Sequence, residues 1–218
     1  MTFGTKDVIL IGAGGHSKSV IDAINSKKEF YIVGITDFDM EKENKTILSI
    51  NILGSDDKLY ELYDQGLRNA FISIGITGEN EIRGKLFKKA RDCGYNMINV
   101  LHRSAVISPY AKLGQGIAVL AGAIVNAEAK IADNCIINTG SIIEHDCIIG
   151  NNVHIAPGAK LAGNVKVGDN CLIGIGAVVI QNVTIGDNTI IGAGSIVLED
   201  IPSDSIAVGT PAKVIRKR

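Results

Sequence analysis

Four histidines occur in this chain, and one of them, His145, is flanked by carboxylates in Glu144-His145-Asp146. An imidazole titrates near pH 6.5, which suits it to take and return a proton at working pH. A carboxylate beside it can hold the second ring N–H and stabilise imidazolium as it forms. The trio therefore has the composition of a general base with an orienting acid. A second chemical signal is Gly12-Ala-Gly-Gly-His-Ser17, a glycine-rich turn that follows the apolar run Asp7 to Ile11. Glycines let a backbone approach a phosphate closely, and the N–H groups and dipole of a helix start favour negative charge. The spacing is Gly12, Gly14, then Ser17 where a dinucleotide fingerprint carries its third glycine. Such a partial GxGxxG is weak evidence for a nicotinamide cofactor. The sheet around it is also small for a full dinucleotide, and a nucleotide diphosphate fits better.

The element that positions His145 is a repeat. From Ile107 to Val197 every sixth residue is aliphatic, sixteen in succession, and four residues after each the side chain is again small or aliphatic. Glycine repeatedly follows the aliphatic, as at Gly114, Gly150, Gly168, Gly174, Gly186 and Gly192. A helix needs apolar positions near every 3.6 residues and a plain strand every second residue. Glycine at this density also makes a long helix costly, at ~1 kcal/mol each against alanine. A fixed period of six describes a parallel β-helix in which each unit buries its apolar side by stacking on its neighbours. His145 is off the inward-facing positions. In a coil of three hexads, which the family resemblance given below implies, the residue stacked on it is Gly163, whose missing side chain leaves room beside the imidazole and whose N–H suits a tetrahedral oxyanion. His154 lies half a coil away and is not stacked on His145.

Ahead of the solenoid, strands and helices alternate. Strands are expected at 7–11, 31–36 and 70–74, helices at 18–26, 57–65 and about 80–93, and a short strand within 95–101. That alternation implies a parallel sheet with helical crossovers, a Rossmann-like domain. The division expected is 1–101 for this domain and 102–218 for the β-helix with a C-terminal cap that begins where Pro202 breaks the hexads. A formal charge of −1, from 22 basic and 23 acidic residues, offers no electrostatic reason to expect nucleic acid. No signal peptide and no membrane span is legible, so a cytoplasmic location is expected. Three of the four cysteines, Cys135, Cys147 and Cys171, fall on the small hexad position and read as buried apolar residues. Only His145 and His154 lie within the solenoid, too few for a three-histidine zinc site, so no metal is expected.

Several stretches together resemble one family, the sialic acid O-acetyltransferases and nucleotide-amino-sugar N-acetyltransferases. They are Gly12-Ala-Gly-Gly-His16, Ile35-Thr-Asp-Phe38, Ile74-Gly75 with Arg83, Leu101-His-Arg-Ser-Ala105, Glu144-His-Asp146 and Gly209-Thr-Pro-Ala-Lys213. The likeness covers essentially the whole chain. It implies a left-handed coil, a homotrimer with active sites between neighbouring β-helices, and acetyl-CoA as cosubstrate. It matches His145 to the catalytic base and Asp146, rather than Glu144, to its acidic partner. His154, Gly163, Ile175 and Ala193 match acetyl-CoA positions, with Lys213 near the cofactor's phosphates. Gly14, Gly15, His16, Thr36, Asp37 and Gly75 match nucleotide-sugar positions. Two departures stand out: Thr36-Asp37 where the family commonly has paired aspartates, and Arg103 in place of a usual proline.

The function these features imply is acetyl transfer to the amino group of a nucleotide-linked 4-amino-4,6-dideoxy sugar, in surface glycan or glycoprotein sugar synthesis. UDP is favoured, with GDP or dTDP open because Thr36 alters the base contacts. Sialic acid O-acetylation shares the same base and is the alternative enzyme reading. A non-catalytic binding scaffold is the other, and it leaves the glycine turn unexplained.

Overall fold

A computed structural model describes residues 3–76 and 81–218. The chain forms two compact units, one from 3–75 with 81–103, the other from Ile76 with 104–218. In the first, the strands are β1 (Asp7–Ile11), β2 (Tyr31–Thr36), β3 (Thr46–Ile47), β4 (Ile50–Gly54), β5 (Asn69–Ile72) and β6 (Asn96–Met97). The helices are α1 (Gly15–Lys27), α2 (Lys58–Asp64) and α3 (Glu81–Asp92). The sheet order is β3-β4-β2-β1-β5-β6, parallel except for the antiparallel β3–β4 pair. Continuous apolar runs such as Val8–Ile11 are fully buried because both faces of a parallel sheet are covered. Ile9, Ile11, Ile72, Leu59, Leu67 and Phe87 share one core cluster.

Two features differ from expectation. Helix α1 starts at Gly15 rather than at residue 18, because Gly14 in extended conformation ends the turn at once and the Ser17 hydroxyl donates to the Gly14 carbonyl at 2.6 Å. The strands β3 and β4 were not anticipated; only Ile52 and Gly54 of β4 are buried, and a weakly apolar edge carries little periodicity. Asn80, the expected first residue of the third helix, lies outside the described residues.

The second unit is a parallel β-helix of two-residue strands. Each strand pairs with the one eighteen residues on, as in Ile124↔Ile142, Ile142↔Lys160 and Lys160↔Val178. The hexad aliphatics from Val119 to Val197 are buried, and so are the small positions, among them Ala123, Cys135, Cys147 and Cys171. Burial pushes the thiols of Cys147 and Cys171 up to about 11, so both stay protonated. The corners use the left-handed backbone region that Asn, Asp and Gly tolerate best. One corner is all glycine (122, 140, 158, 176 and 194); the others carry Asn134, Asn152, Asn170 and Asn188, or Asp146, Asn164 and Asn182. Side chains of adjacent coils then satisfy corner N–H groups, as in Asn151 N–H to Asp169 Oδ1 at 2.7 Å. At the C-terminal end, Ser205–Gly209 pairs in parallel with the coil strand Ile190–Ile191 and turns into an antiparallel hairpin with Ala212–Lys217. That hairpin continues the sheet beyond the last coil.

Candidate functional site

The solenoid corner at 144–146 builds the first part. Asp146 takes the corner's left-handed backbone (φ 63), and this carries its side chain alongside the preceding ring. His145 Nδ1 and Asp146 Oδ2 are 2.8 Å apart, with the two side chains 62% and 57% exposed. A carboxylate at Nδ1 fixes the tautomer with the proton there and leaves Nε2 as the basic atom. The Glu144 carboxylate instead accepts from the His145 backbone N–H at 3.4 Å. One coil on, the His145 carbonyl accepts from Asn164 N–H at 2.9 Å, which brings Gly163 directly beneath the imidazole. A Cβ on Gly163 would lie 2.6 Å from His145 Cε1 and 2.7 Å from Nε2. Only glycine leaves the ring where it stands.

His154 is placed differently. It begins the strand His154–Ile155 on another face of the coil and is 8% exposed. Its Nδ1 is 3.0 Å from the Ile76 carbonyl and its Nε2 2.9 Å from Asn138 Nδ2. A carbonyl requires a donor and the amide supplies one, so the ring is neutral, protonated on Nδ1 and accepting at Nε2. Ile175 and Ala193 are exposed and stacked on the glycine corner, where Gly194 N–H donates to the Ile175 carbonyl at 2.8 Å. Within one chain, then, His145 and Gly163 meet, whereas Ile175 and Ala193 share a different corner. Lys213 is ion-paired with Glu199.

In the first unit the sheet order reverses at β1, since β2 and β4 lie to one side and β5 to the other. Ligands of such sheets bind outside the carboxyl ends of the strands, at that switch point. The turn after β1 and Gly75 after β5 both stand there. Gly12 has φ +106, and a Cβ on it would fall 2.1 Å from Ile74 Cγ1, so this position must be glycine. Among the described residues, nothing apart from the chain neighbours and the helix's own backbone lies within 4 Å of where side chains would begin at Gly14 and Gly15, both exposed at the helix start. His16 packs on Gly75, with its Cβ 3.3 Å from where a Gly75 side chain would begin.

Thr36 and Asp37 are at the end of β2 as expected, but their side chains are committed within the protein. Thr36 is fully buried and its hydroxyl donates to Asp56 Oδ1 at 2.6 Å. Asp37 accepts from Ala13 N–H at 2.6 Å and from Asp39 N–H and Lys42 Nζ at 3.0 Å each. Burial by itself would raise its pKa; these three donors overcome it and hold the carboxyl below its ordinary value. Asp37 thus fastens the glycine turn. Asp56, Asn138 and the buried Arg83, which donates to the Ile72 and Ile74 carbonyls at 2.6 and 2.7 Å, are the neighbours of site residues that spacing does not reveal. Only Arg83 carried a signal, as one of the family-like positions. A groove of about 930 Å³ lined by Phe3, Val33, Leu53 and Leu62 opens elsewhere on this unit, away from all of the candidate residues. Among the described residues no cluster of three or more His, Cys, Asp or Glu could hold a metal ion. No described helix is long and apolar enough to cross a membrane.

Known proteins match this arrangement over its full length. The PglD N-terminal domain matches residues 7–90, and the bacterial transferase hexapeptide repeat matches 128–163 and 164–199. PerB from Caulobacter crescentus, solved with CoA and GDP-perosamine, is 41% identical with a TM-score of 0.92, covering 99% of this chain and 100% of its own. The acetyltransferase domain of PglB from Neisseria gonorrhoeae, in complex with acetyl coenzyme A, is 31% identical with a TM-score of 0.88, covering 97% and 100%. WeeI from Acinetobacter baumannii is 25% identical with a TM-score of 0.84, covering 95% and 99%. The solenoid is a left-handed β-helix behind a Rossmann-like domain, and the chain is an acetyl-CoA-dependent acetyltransferase. It belongs to the nucleotide-amino-sugar N-acetyltransferase family of hexapeptide-repeat acyltransferases.

Proposed function

We propose that the chain transfers the acetyl group of acetyl-CoA to the amino group of a nucleotide-linked 4-amino-4,6-dideoxy sugar, with His145 as general base. The observation that carries this reading is the His145 ring, held by Asp146 at Nδ1 and presenting Nε2 over Gly163. In the proposed step Nε2 accepts a proton as the sugar amine attacks the thioester carbonyl. The N–C bond forms, the C–S bond breaks, and the proton passes on to the departing CoA thiolate. Asp146 stabilises the imidazolium in between. The Gly163 N–H is the candidate donor to the oxyanion.

The sugar nucleotide's diphosphate is assigned to Gly14, Gly15 and His16, with Gly75 closing the far side and Thr36 and Asp37 acting from behind. Acetyl-CoA is assigned to Gly163, Ile175, Ala193 and the His154 edge. Gly163 is at one corner of the solenoid, Ile175 and Ala193 at another and His154 on a strand, which supports sites shared between protomers of a homotrimer. Outward residues of the coil differ by face in a way that favours such packing: Val106, Ile124, Ile142, Val178 and Ile196, interrupted by Lys160, on one, and Lys112, Lys130, Ile148, Lys166 and Thr184 on another. An apolar stripe on one face is a natural contact under cyclic symmetry. Sedimentation is expected to give a trimer; a stable, active monomer contradicts it. The 1–101 and 102–218 division by role belongs to the same reading, as does a cytoplasmic location.

The sequence reading favours UDP, whereas the GDP-perosamine complex of the C. crescentus relative favours GDP. A thiol-release assay with UDP-, dTDP- and GDP-linked 4-amino sugars, and free sialic acid alongside, tests the acceptor. Turnover with an amino sugar nucleotide is expected. Turnover confined to free sialic acid overturns the proposal.

A further inference from the structure

We propose that Asp56 reads the nucleobase of the acceptor and selects guanine, and that Phe38 provides the ring on which the base stacks. This deepens the reading above and rests on a nucleotide-linked acceptor. With the diphosphate at Gly14 and Gly15, the base extends over the carboxyl ends of the neighbouring strands, β2 and β4. Thr36 ends β2, Phe38 follows two residues later, and Asp56 follows the end of β4 at Gly54.

The Thr36–Asp56 hydrogen bond of 2.6 Å holds this half-buried carboxylate in one position. It occupies one of the roughly four acceptor sites a carboxylate offers. An aspartate at 36 would instead set a second carboxylate against Asp56, and like charges at that distance in a half-buried site do not both ionise. Threonine therefore converts the position from a competitor of Asp56 into its anchor. Of the charged groups nearby, Asp37 is matched by Ala13, Asp39 and Lys42, and Asp57 by Lys89 at 3.1 Å.

An ionised carboxylate only accepts hydrogen bonds. Guanine presents N1–H and the 2-amino group side by side, two donors spaced for two carboxylate oxygens, as in other bidentate pairs. Uracil and thymine present one N3–H between two carbonyl oxygens, which a carboxylate repels. Adenine presents one amino group beside a ring-nitrogen acceptor. Phe38 is 77% exposed and fills no core, and Lys42, 5.8 Å from its ring centroid and salt-bridged to Asp37 at 3.0 Å, braces it from one side. Stacking on a ring is tolerant of base identity. Phe38 thus supplies affinity and Asp56 the choice.

The test titrates the full chain with free GDP, IDP and UDP by calorimetry, then repeats the acetylation assay with GDP- and UDP-linked amino sugars. GDP is expected to bind about tenfold or more tighter than UDP, because a site built for two donors rejects ligands lacking them. IDP, without the 2-amino group, falls between. Asp56→Asn is expected to lower GDP affinity to about that of UDP, erasing the preference, and Phe38→Ala to weaken both nucleotides alike. Equal affinity of the wild type for GDP and IDP overturns the proposal without any variant, as does a GDP preference that survives in folded Asp56→Asn. Turnover of the GDP-linked sugar with no Asp56 dependence sinks this inference but leaves the proposed function intact. Asp56-dependent GDP binding with no acetyl transfer to any sugar nucleotide does the reverse.

Discussion

His145 and His154 are nine residues apart in the chain and half a coil apart in space, and the solenoid gives them opposite surroundings. His145 is at a corner, largely exposed, with a carboxylate on one nitrogen and a glycine under the other. His154 starts a strand and is nearly buried, with a carbonyl on one nitrogen and an amide on the other. Both rings have their tautomer set by the partner at Nδ1. The difference is at Nε2, where His145 faces space that a substrate can enter and His154 already accepts from Asn138. A histidine's suitability for proton transfer is thus decided by what meets its second nitrogen, and in a β-helix that depends on whether the residue falls on a corner or a strand.

The largest effect expected from breaking this contrast is in His145→Ala, which should lower kcat by about 10²-fold or more with unchanged melting and acetyl-CoA affinity. Turnover near the wild-type value would remove His145 as the base. Gly163→Ala comes next. The new Cβ must displace the imidazole, and a shift of that kind is expected to lower kcat by about tenfold or more while the coil stays folded by circular dichroism. Asp146→Asn keeps the geometry but loses the charge that stabilises imidazolium, and a smaller loss, about tenfold, is expected together with a shifted pH–rate profile. His154→Gln should do the opposite of His145→Ala: kcat within about threefold, but stability lower by about 1–3 kcal/mol in urea titrations, as for a buried polar group left without a partner. A collapse of kcat in this variant, with melting unchanged, would erase the contrast.

A second pair, Asp37 and Asp56, sharpens the same lesson in the other unit. Donors hold the Asp37 carboxyl below its ordinary pKa, whereas burial raises that of Asp56 despite its Thr36 bond. A lowered folded pKa contributes stability that is present above the unfolded value and lost as pH falls through the folded one. Asp37→Asn is therefore expected to cost about 1–3 kcal/mol near neutrality, and less as the pH drops below the carboxylate range. Asp56→Asn, removing a charge that burial disfavours, should cost little and show no such acid dependence. Parallel denaturation series in neutral and acidic buffer check both.

Much of this was legible in advance. The sixteen aliphatics at intervals of six state a stacked β-helix, and with the three hexads per coil that the family likeness implies, the period sets Gly163 beneath His145. Gly12 between strand and helix marks a turn because no other residue combines its φ with the approach of Ile74. These features are local or strictly periodic, so spacing along the chain stands in for distance in space. What spacing could not supply came from groups that share no period. The β3–β4 pair lies at a sheet edge with too little burial to impose a pattern. The carboxylate that Thr36 meets is twenty residues away across two strands, and the carbonyl that meets His154 belongs to Ile76 in a different stretch of chain. The amino-acid order by itself determined the coil, the glycine turn and the residues available for chemistry. Only the tertiary structure decided which of those side chains face open space and which are spent inside. The physical reason is that a buried polar group must find a partner wherever the fold brings one, and nothing in the local sequence names that partner.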